Sequence, residues 1–343
     1  MKMYREALSY DDVLLVPQFS DIKSRKEVSL SSQLGYYGMN LPIIASPMDT
    51  IVEEEMAIAL ADLGALGVVH RYNTIQEQVD LIFKISGRVT GHSIAAAIPI
   101  SGDYIERAQA LVSAGAKVLC IDVAHGDHAM MKEALDNLKA RLPGHVHIMA
   151  GNVATQEGYE RLVEWGADSV RVGIGGGSIC STRIQTGHGV PTLTSVIDCA
   201  KSRYAGRNPI IADGGIKTSG DIVKAIGAGA DFVMIGSLFS GTTETPGKIL
   251  VQSDGSKVKE YRGMASRAAQ MAWRGRTSSL EGISTFVPFK GKVKYVVDDL
   301  VNGIRSGLSY TGSRSIEEFQ ARAVFIQQTQ AGQSESSTHI LKR

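Results

Sequence analysis

Eight short apolar runs between residues 41 and 237 constrain the fold of this 343-residue chain more than any other feature. Their hydrophobic residues are continuous rather than alternating, which is typical of strands that helices cover on both faces. The runs are LPIIASPM (41–48), GALGVVH (64–70), SIAAAIP (93–99), AKVLCIDVAH (116–125), HVHIMAGNV (145–153), ADSVRVGIG (167–175), NPIIADGG (208–215) and ADFVMIGS (230–237).

Amphipathic stretches with helical spacing separate these runs. They are VEEEMAIALADLG, YIERAQALVSAGA, MMKEALDNLKARL, TQEGYERLVEWGA, TLTSVIDCAKSRY and SGDIVKAIGAGA. Three end in a Gly-Ala pair, at Gly115, Gly166 and Gly229, as expected where glycine ends a helix in the left-handed conformation. Length alone fits two domains or one barrel. Eight βα units favour a closed (β/α)8 barrel over an open doubly wound sheet.

The remaining sequence is interpreted as part of one catalytic domain that spans residues 1–343. Residues from about 241 to 312 are Gly-rich, basic and contain Trp273, and they are too long for an ordinary loop. We interpret them as an active-site flap and a closing segment. The polar stretch at about 326–343 is interpreted as a C-terminal tail.

Composition excludes several classes of function. The chain has 36 Lys and Arg against 35 Asp and Glu, so it lacks the basic footprint of a nucleic-acid-binding protein. Three scattered cysteines form no disulfide framework, which favours a reducing, cytoplasmic compartment. The sequence shows neither a signal peptide nor an apolar run long enough to span a membrane. Its histidines have no spacing typical of a catalytic metal site.

The loop GIGGGSICSTR (173–183) follows the sixth run, where a barrel carries its chemistry. Its four glycines let the backbone approach a ligand closely. Cys180 lies among small polar residues and is a candidate nucleophile, with a buried structural thiol as the alternative. We expect Cys120 and Cys199 to be buried core residues. The loop lacks the strand and helix order of a dinucleotide fingerprint.

Two further loops predict a phosphate site. DGG (213–215) follows the seventh run and Gly236 with Ser237 follows the eighth, and loops at these places often bind phosphate through backbone N–H groups. Asp213 could accept hydrogen bonds from ribose hydroxyls. Ser178, Ser237 and Tyr261 could donate hydroxyl hydrogen bonds to the phosphate. The alternative is that DGG is only a tight turn.

Together these loops resemble the IMP dehydrogenase and GMP reductase family. The resemblance covers nearly the whole chain and is most specific in the combination of the cysteine loop, DGG and YRGM (261–264). The other matching motifs are YDDVLLVP (10–17), SPMDT (46–50), DVAHG (122–126), AGNV (150–153), IADGGIKTSGD (211–221), VMIGSLFSG (233–241), VPFKG (287–291) and IRSGLSYTG (304–312). The resemblance implies a (β/α)8 barrel, usually a homotetramer, that acts on a purine nucleotide, GMP or IMP.

The resemblance also assigns roles to individual residues. Cys180 matches the nucleophile that attacks C2 of the purine, Thr182 the proton-transferring residue and Glu281 its acidic partner from the flap. The positions that match nucleotide contacts are Ser178, Asp213, Gly214, Gly215, Gly236, Ser237, Tyr261, Gly263, Met264 and Gly282. Those that match contacts to the nicotinamide cofactor are Ser24, Arg25, Arg71, Asp122, Val123 and Ala124. Carbonyl groups of Gly175, Gly177 and Cys180 match a monovalent cation site, normally for K⁺.

Two departures bear on the reaction. Between the second and third runs the chain has only residues 71–92, so the CBS regulatory module of typical dehydrogenases is absent. The dehydrogenase flap carries an Arg-Tyr pair whose arginine activates water, and between YRGM and VPFKG this chain has no such dipeptide. General-base catalysis typically contributes about 10²- to 10⁴-fold, so hydrolysis without it should be slow. Hydride transfer needs no such base.

The expected activity is therefore NADPH-dependent reductive deamination of GMP to IMP. Several motifs resemble the dehydrogenase branch more closely, and Gly176 and Ser181 stand where both branches usually have Pro and Thr. A dehydrogenase without the CBS module, which would convert IMP to XMP with NAD, stays an alternative. A non-catalytic purine-nucleotide-binding barrel is the second alternative.

Overall fold

Eight parallel strands close into a barrel in the computed structural model, which describes residues 5–202, 208–278 and 280–336. Each apolar run contains one strand. In chain order they are β1 (Ile43–Ala45), β2 (Leu66–Val69), β3 (Ala95–Ile98), β4 (Val118–Asp122), β5 (His147–Val153), β6 (Ser169–Val172), β7 (Ile210–Asp213) and β8 (Phe232–Ile235). Pairing of Val233 with Ile43 joins β8 to β1 and closes the barrel. The predicted (β/α)8 fold is confirmed.

A helix follows each barrel strand and covers its outer face. The helices are α1 (Glu54–Asp62), α2 (Ile75–Ser86), α3 (Tyr104–Ser113), α4 (Ala129–Arg141), α5 (Gln156–Glu164), α6 (Thr192–Ala200), α7 (Ser219–Gly227) and α8 (Val293–Ser309). Six correspond to the predicted amphipathic stretches, although residues 203 and 204 of the fifth lie outside the described residues. The prediction did not name α2, and it placed α8 within the closing segment.

The glycines of the three Gly-Ala pairs have the predicted backbone conformation. The φ angles of Gly115, Gly166 and Gly229 are 114°, 95° and 110°, a region that residues with a Cβ rarely adopt. Each glycine therefore ends its helix and redirects the chain into the next barrel strand.

A β-hairpin closes the N-terminal end of the barrel. Its strands are Ser32–Leu34 and Tyr37–Met39. Leu34 and Met39 pack against the inward-facing side chains of the barrel, among them Phe232 and Cys120. A second apolar layer lies between the strands and the helices and includes Cys199. Cys120 and Cys199 are fully buried, as predicted.

The segment after β8 forms a small sheet that we call the flap, residues 250–288. Its strands are Leu250–Val251, Lys257–Arg262 and Ser284–Pro288, and the helix Arg267–Arg274 connects the last two. After α8 come the helix Ile316–Arg322, the strand Phe325–Gln327 and the helix Gln330–Glu335. Residues 337–343 of the predicted tail lie outside the described residues.

Three short helical segments and one strand complete the part of the chain that the structure describes. Tyr10–Asp12 and Arg25–Glu27 are 3-10 helices, and Thr182–Thr186 is a single α-helical turn after the cysteine loop. The strand Val13–Leu15 pairs antiparallel with Phe325–Gln327, so the two ends of the described chain lie together. Within the described ranges, none of the helices has the length and apolarity needed to cross a bilayer.

Candidate active site

A cavity of about 530 Å³ opens at the C-terminal ends of the barrel strands, with the flap forming one wall. Apart from Ser24 and Arg25, every residue predicted for catalysis or binding lines it. Those residues are Arg71, Asp122, Val123, Ala124, Gly175, Gly177, Ser178, Cys180, Thr182, Asp213, Gly214, Gly215, Gly236, Ser237, Tyr261, Gly263, Met264, Glu281 and Gly282. A larger cavity of about 690 Å³ at the other end of the barrel contains none of them.

Ser24 and Arg25 lie elsewhere on the surface. The Ser24 hydroxyl accepts a hydrogen bond from the backbone N–H of Lys26 and so caps the 3-10 helix Arg25–Glu27. Both residues are exposed, and neither lines the cavity of this chain. The structure thus separates these two positions from the other predicted cofactor contacts.

Cys180, Thr182 and Glu281 form a line of hydrogen bonds in the cavity wall. The Cys180 thiol donates to Thr182 Oγ1 at 3.2 Å, and the Thr182 hydroxyl donates to Glu281 Oε2 at 2.8 Å. Cys180 is partly exposed to the cavity, whereas Cys120 and Cys199 are fully buried. The line can carry a proton from the thiol to the carboxylate and back.

Backbone hydrogen bonds fix the flap against the cysteine loop. Ser181 N–H donates to the Glu281 carbonyl at 3.0 Å, and Ile283 N–H donates to the Ile179 carbonyl at 3.1 Å. Gly282 lies between these two contacts and pairs with Cys180. The carboxylate of Glu281 therefore reaches Thr182 because the two backbone segments are joined.

Two glycines allow the cysteine loop to pack directly on the DGG loop. Gly173 has a φ of 144°, and a Cβ there would lie 1.9 Å from the Asp213 carbonyl oxygen. Gly214 has a φ of 95°, and its Cβ would lie 3.0 Å from the Gly176 carbonyl carbon. Side chains at these positions would push Cys180, the predicted nucleophile, away from the predicted phosphate and ribose contacts.

Hydroxyl groups converge where the phosphate is predicted. Ser178 Oγ lies 3.5 Å from Tyr261 Oη, and a Cβ on Gly236 would lie 3.2 Å from that same oxygen. Burial raises the pKa of Tyr261, so its hydroxyl stays protonated and can donate a hydrogen bond to an anion. Gly236 also begins a turn in which its carbonyl accepts from the N–H of Ser240.

Arg171 lines the cavity but was not among the site residues predicted from the sequence. It lies in β6, is 5% exposed, and donates to Asp122 Oδ1 and Asp213 Oδ2, each at 2.8 Å. Asn152 Nδ2 also donates to Asp213 Oδ2, at 2.9 Å. The available signal was a single arginine in the otherwise apolar run ADSVRVGIG.

The charge of Arg171 helps to lower the pKa of Asp122. Burial alone would raise the pKa of Asp122, but the guanidinium groups of Arg171 and Arg71 outweigh it and hold that pKa below its usual value. Burial likewise opposes the charge of Arg171, whereas the surrounding anionic groups raise its pKa. The Asp122 carboxylate and the Arg171 guanidinium are therefore both in their charged forms at neutral pH.

An aromatic pair lies beside this ionic cluster. Arg71 donates from Nη2 to the Asp122 carbonyl at 3.0 Å, and its guanidinium carbon lies 5.5 Å from the centre of the Tyr72 ring. Tyr72 stacks on Trp273 of the flap helix with 6.2 Å between ring centres and 22° between planes. Burial raises the pKa of Tyr72. The pair thus joins the flap to the loop after β2.

The predicted cation site consists of backbone carbonyl groups. The Gly177 carbonyl also accepts from Cys180 N–H at 3.1 Å. Arg183 packs on Gly175 and donates to the carbonyls of Ile174 at 3.3 Å and Val190 at 2.7 Å. In the described part of the chain, no three His, Cys, Asp or Glu side chains are grouped as a metal site.

Comparison with known proteins gives one consistent result. The model of the IMP dehydrogenase / GMP reductase domain matches residues 7–339. The chain is 33% identical to an inosine-5'-monophosphate dehydrogenase of Nitrosopumilus maritimus (strain SCM1) and 33% identical to a GMP reductase of Leishmania major, with 98% of each chain covered.

A solved structure is similar over the same extent. A GMP reductase from Trypanosoma brucei, crystallised in complex with guanosine 5'-monophosphate, has a TM-score of 0.92 and 33% sequence identity, with 98% of each chain covered. The family model and these similarities identify this protein as an oxidoreductase of the IMP dehydrogenase and GMP reductase family.

Proposed function

We propose that this protein is a GMP reductase, which converts GMP, NADPH and one proton to IMP, ammonia and NADP⁺. The covalent chemistry rests on the continuous line of hydrogen bonds from Cys180 through Thr182 to Glu281, and the choice of the reductase rests on the flap sequence. The flap adds no Arg-Tyr dipeptide between YRGM and VPFKG that could activate water. The relatives include both IMP dehydrogenases and GMP reductases, so they do not select between the two activities. The flap sequence is what favours the reductase.

The first half of the reaction follows from this line. The Cys180 thiol loses its proton through Thr182 to Glu281, and the thiolate sulfur then bonds to C2 of the guanine. The same residues return a proton to the 2-amino group, which leaves as ammonia. The product is a thioimidate between Cys180 and the purine, which then accepts a hydride at C2 and releases the thiolate.

The other cavity residues would bind and orient the nucleotide. Ser178, Ser237, Tyr261 and the backbone of Gly215 and Gly236 would hold the phosphate. Asp213 would accept hydrogen bonds from the ribose through Oδ1, since Arg171 and Asn152 both contact Oδ2. Gly214 and Gly263 shape the loops, while Met264 and Gly282 border the base.

The residues beside Asp122 fit a nicotinamide group. Asn152 Oδ1 is buried and has no hydrogen-bond partner in the described residues, so it is free to accept from a carboxamide N–H. Asp122, Val123 and Ala124 supply further polar groups on the same wall. The bound dinucleotide would supply the hydride. The carbonyls of Gly175, Gly177 and Cys180 suit a monovalent cation such as K⁺ by their donor type.

The proposal extends to the setting of the enzyme. A free nucleophilic thiol works in a reducing compartment, so we place the protein in the cytoplasm. The family resemblance underlies a proposed homotetramer, and sedimentation would give the number of chains.

One observation favours the dehydrogenase as a second candidate. Arg274 of the flap helix lines the cavity together with Tyr72. The two come from distant segments, yet they place an arginine and a tyrosine on one side of the cavity. This arrangement could replace the dipeptide of the dehydrogenase flap.

Two assays on one preparation decide between these functions. NADPH oxidation with GMP is expected, and NAD⁺ reduction with IMP is expected to be absent. NADH formation from IMP without GMP reduction would overturn the proposal. Binding of GMP without turnover in either assay would indicate the non-catalytic barrel.

A further inference from the structure

We propose that Arg171 is a positioning residue that couples the two halves of the cavity. It would make binding of the purine nucleotide and of the dinucleotide mutually dependent, because one guanidinium holds both Asp122 and Asp213. The inference rests on the proposed function only in assigning Asp213 to the nucleotide and Asp122 to the dinucleotide. Arg171 itself would touch neither reacting atom.

The geometry leaves Arg171 little freedom. Its Nη1 donates to Asp122 Oδ1 and its Nη2 to Asp213 Oδ2, both at 2.8 Å, and Nη1 also lies 3.4 Å from Cys120 Sγ in the barrel interior. A guanidinium is planar, so the directions of these two bonds are fixed relative to each other. Its Nε is buried and without a hydrogen-bond partner in the described residues. The two carboxylates are therefore the anchors of this charge.

Each carboxylate leads outward to a different part of the site. Asp213 also accepts from Asn152, behind the DGG loop. Asp122 Oδ2 lies 3.4 Å from Arg71 Nε, and Arg71 lies over Tyr72, which stacks on the flap. A contiguous set of contacts thus runs from the predicted ribose position to the flap helix.

This arrangement predicts that the purine nucleotide and the dinucleotide each tighten the binding of the other. A ligand that fixes Asp213 also fixes the guanidinium, and a fixed guanidinium orients Asp122 for the second ligand. The buried position strengthens the effect because screening by water is small there. The second ligand then binds to a wall that is already ordered, so each ligand should tighten the other by the same factor.

A binding cycle measures this coupling without turnover. GMP and NADP⁺ form no productive pair, so the Kd of NADP⁺ can be measured by calorimetry with and without saturating GMP, with NAD⁺ in parallel. We expect GMP to tighten dinucleotide binding by about 5- to 150-fold in the wild type, the usual range for linked sites. In R171K, which keeps the charge but not the fork, the ratio should fall to about one.

Arg161 provides a matched control. It makes a two-point ion pair with Asp127 at 2.7 and 2.5 Å, but neither residue lines the cavity. R161K should retain the wild-type ratio. A second variant, D122N, weakens one of the two anchors of Arg171, and the effect of saturating GMP on the Kd of NADP⁺ should fall to about one in it as well. D122N carries the test if melting curves show that R171K is unfolded.

The outcomes separate the two proposals. A wild-type ratio of one, or a ratio unchanged in R171K or in D122N, would overturn the coupling role even if GMP is reduced. If the wild type shows full coupling and R171K loses it, the coupling role of Arg171 is supported. If the same protein does not reduce GMP, the proposed reductase activity is rejected.

Discussion

Cys180 differs from the other two thiols of the chain in its surroundings. Burial raises the pKa of Cys120 to about 11 and that of Cys199 further, and both side chains are fully buried. Cys180 faces the cavity and has Thr182 as a hydrogen-bond partner. Because thiolates are the reactive form, these contrasts favour Cys180 over the other two cysteines as the proposed nucleophile.

Replacement of Cys180 by serine should separate binding from turnover. C180S should bind GMP with a Kd near that of wild type, since the sulfur is one contact among many, while kcat falls by roughly 10³-fold or more. Iodoacetamide should add one label to the native protein and none to C180S, as mass spectrometry would show. Near-normal turnover in C180S would contradict the covalent mechanism.

The barrel strands were predictable because burial on both faces leaves continuous apolar runs. Helix α2 was not, since its core face includes a polar residue. Gln78 is fully buried and donates to the carbonyls of His70 and Ala97 at 3.0 and 2.8 Å. Such a residue interrupts the apolar stripe that marks a helix in sequence.

The candidate site, too, could be predicted from the sequence only in part. Cysteine and glycine loops could be assigned from local sequence, because their chemistry lies within a few residues. The bridge through Arg171 could not, since its partners Asp122 and Asp213 are 49 and 42 residues away. The Tyr72 and Trp273 stack likewise joins a barrel loop to the flap. Contacts of this kind depend on closure of the barrel.

The packing of the cysteine loop on the DGG loop gives a prediction for this pair of elements. G173A should lower the free energy of unfolding by about 2–4 kcal/mol. The Cβ of the alanine would overlap the Asp213 carbonyl oxygen, and the φ of 144° at this position is unfavourable for alanine. G187A is the control: Gly187 has a φ of 70° with no atom within 4 Å of its Cβ position. G187A should lower the free energy of unfolding by about 1 kcal/mol. Urea unfolding measures both, and equal losses would disprove the steric argument.

The candidate active site and the hairpin that closes the barrel lie at opposite ends of the molecule. The C-terminal ends of the strands carry the cavity and the flap, while the hairpin of residues 32–39 closes the N-terminal end. His147 is buried beneath that hairpin: its Nε2 lies 2.8 Å from Ser169 Oγ, and its Nδ1 abuts the turn at Gly35. Burial lowers the pKa of His147 to about 4.

The stability of the barrel should therefore depend on pH through its closed end. A histidine whose folded pKa lies below its unfolded pKa of about 6.5 takes up protons on unfolding, so its contribution is complete above pH 6.5. As pH falls to 4 the free energy of unfolding should drop by about 3 kcal/mol, at about 1.36 kcal/mol per pKa unit.

Urea unfolding from pH 4 to 7 would measure this loss. H147Q should flatten the dependence, whereas H188Q, which changes an exposed histidine, should leave it as in wild type. Because His147 lies at the end opposite the cavity, kcat of H147Q at pH 7.5 should stay within about twofold of wild type, as expected for distant, independent sites. An unchanged pH dependence in H147Q would show that other groups govern acid stability. A large loss of kcat with normal stability would show that the two ends of the barrel are not independent.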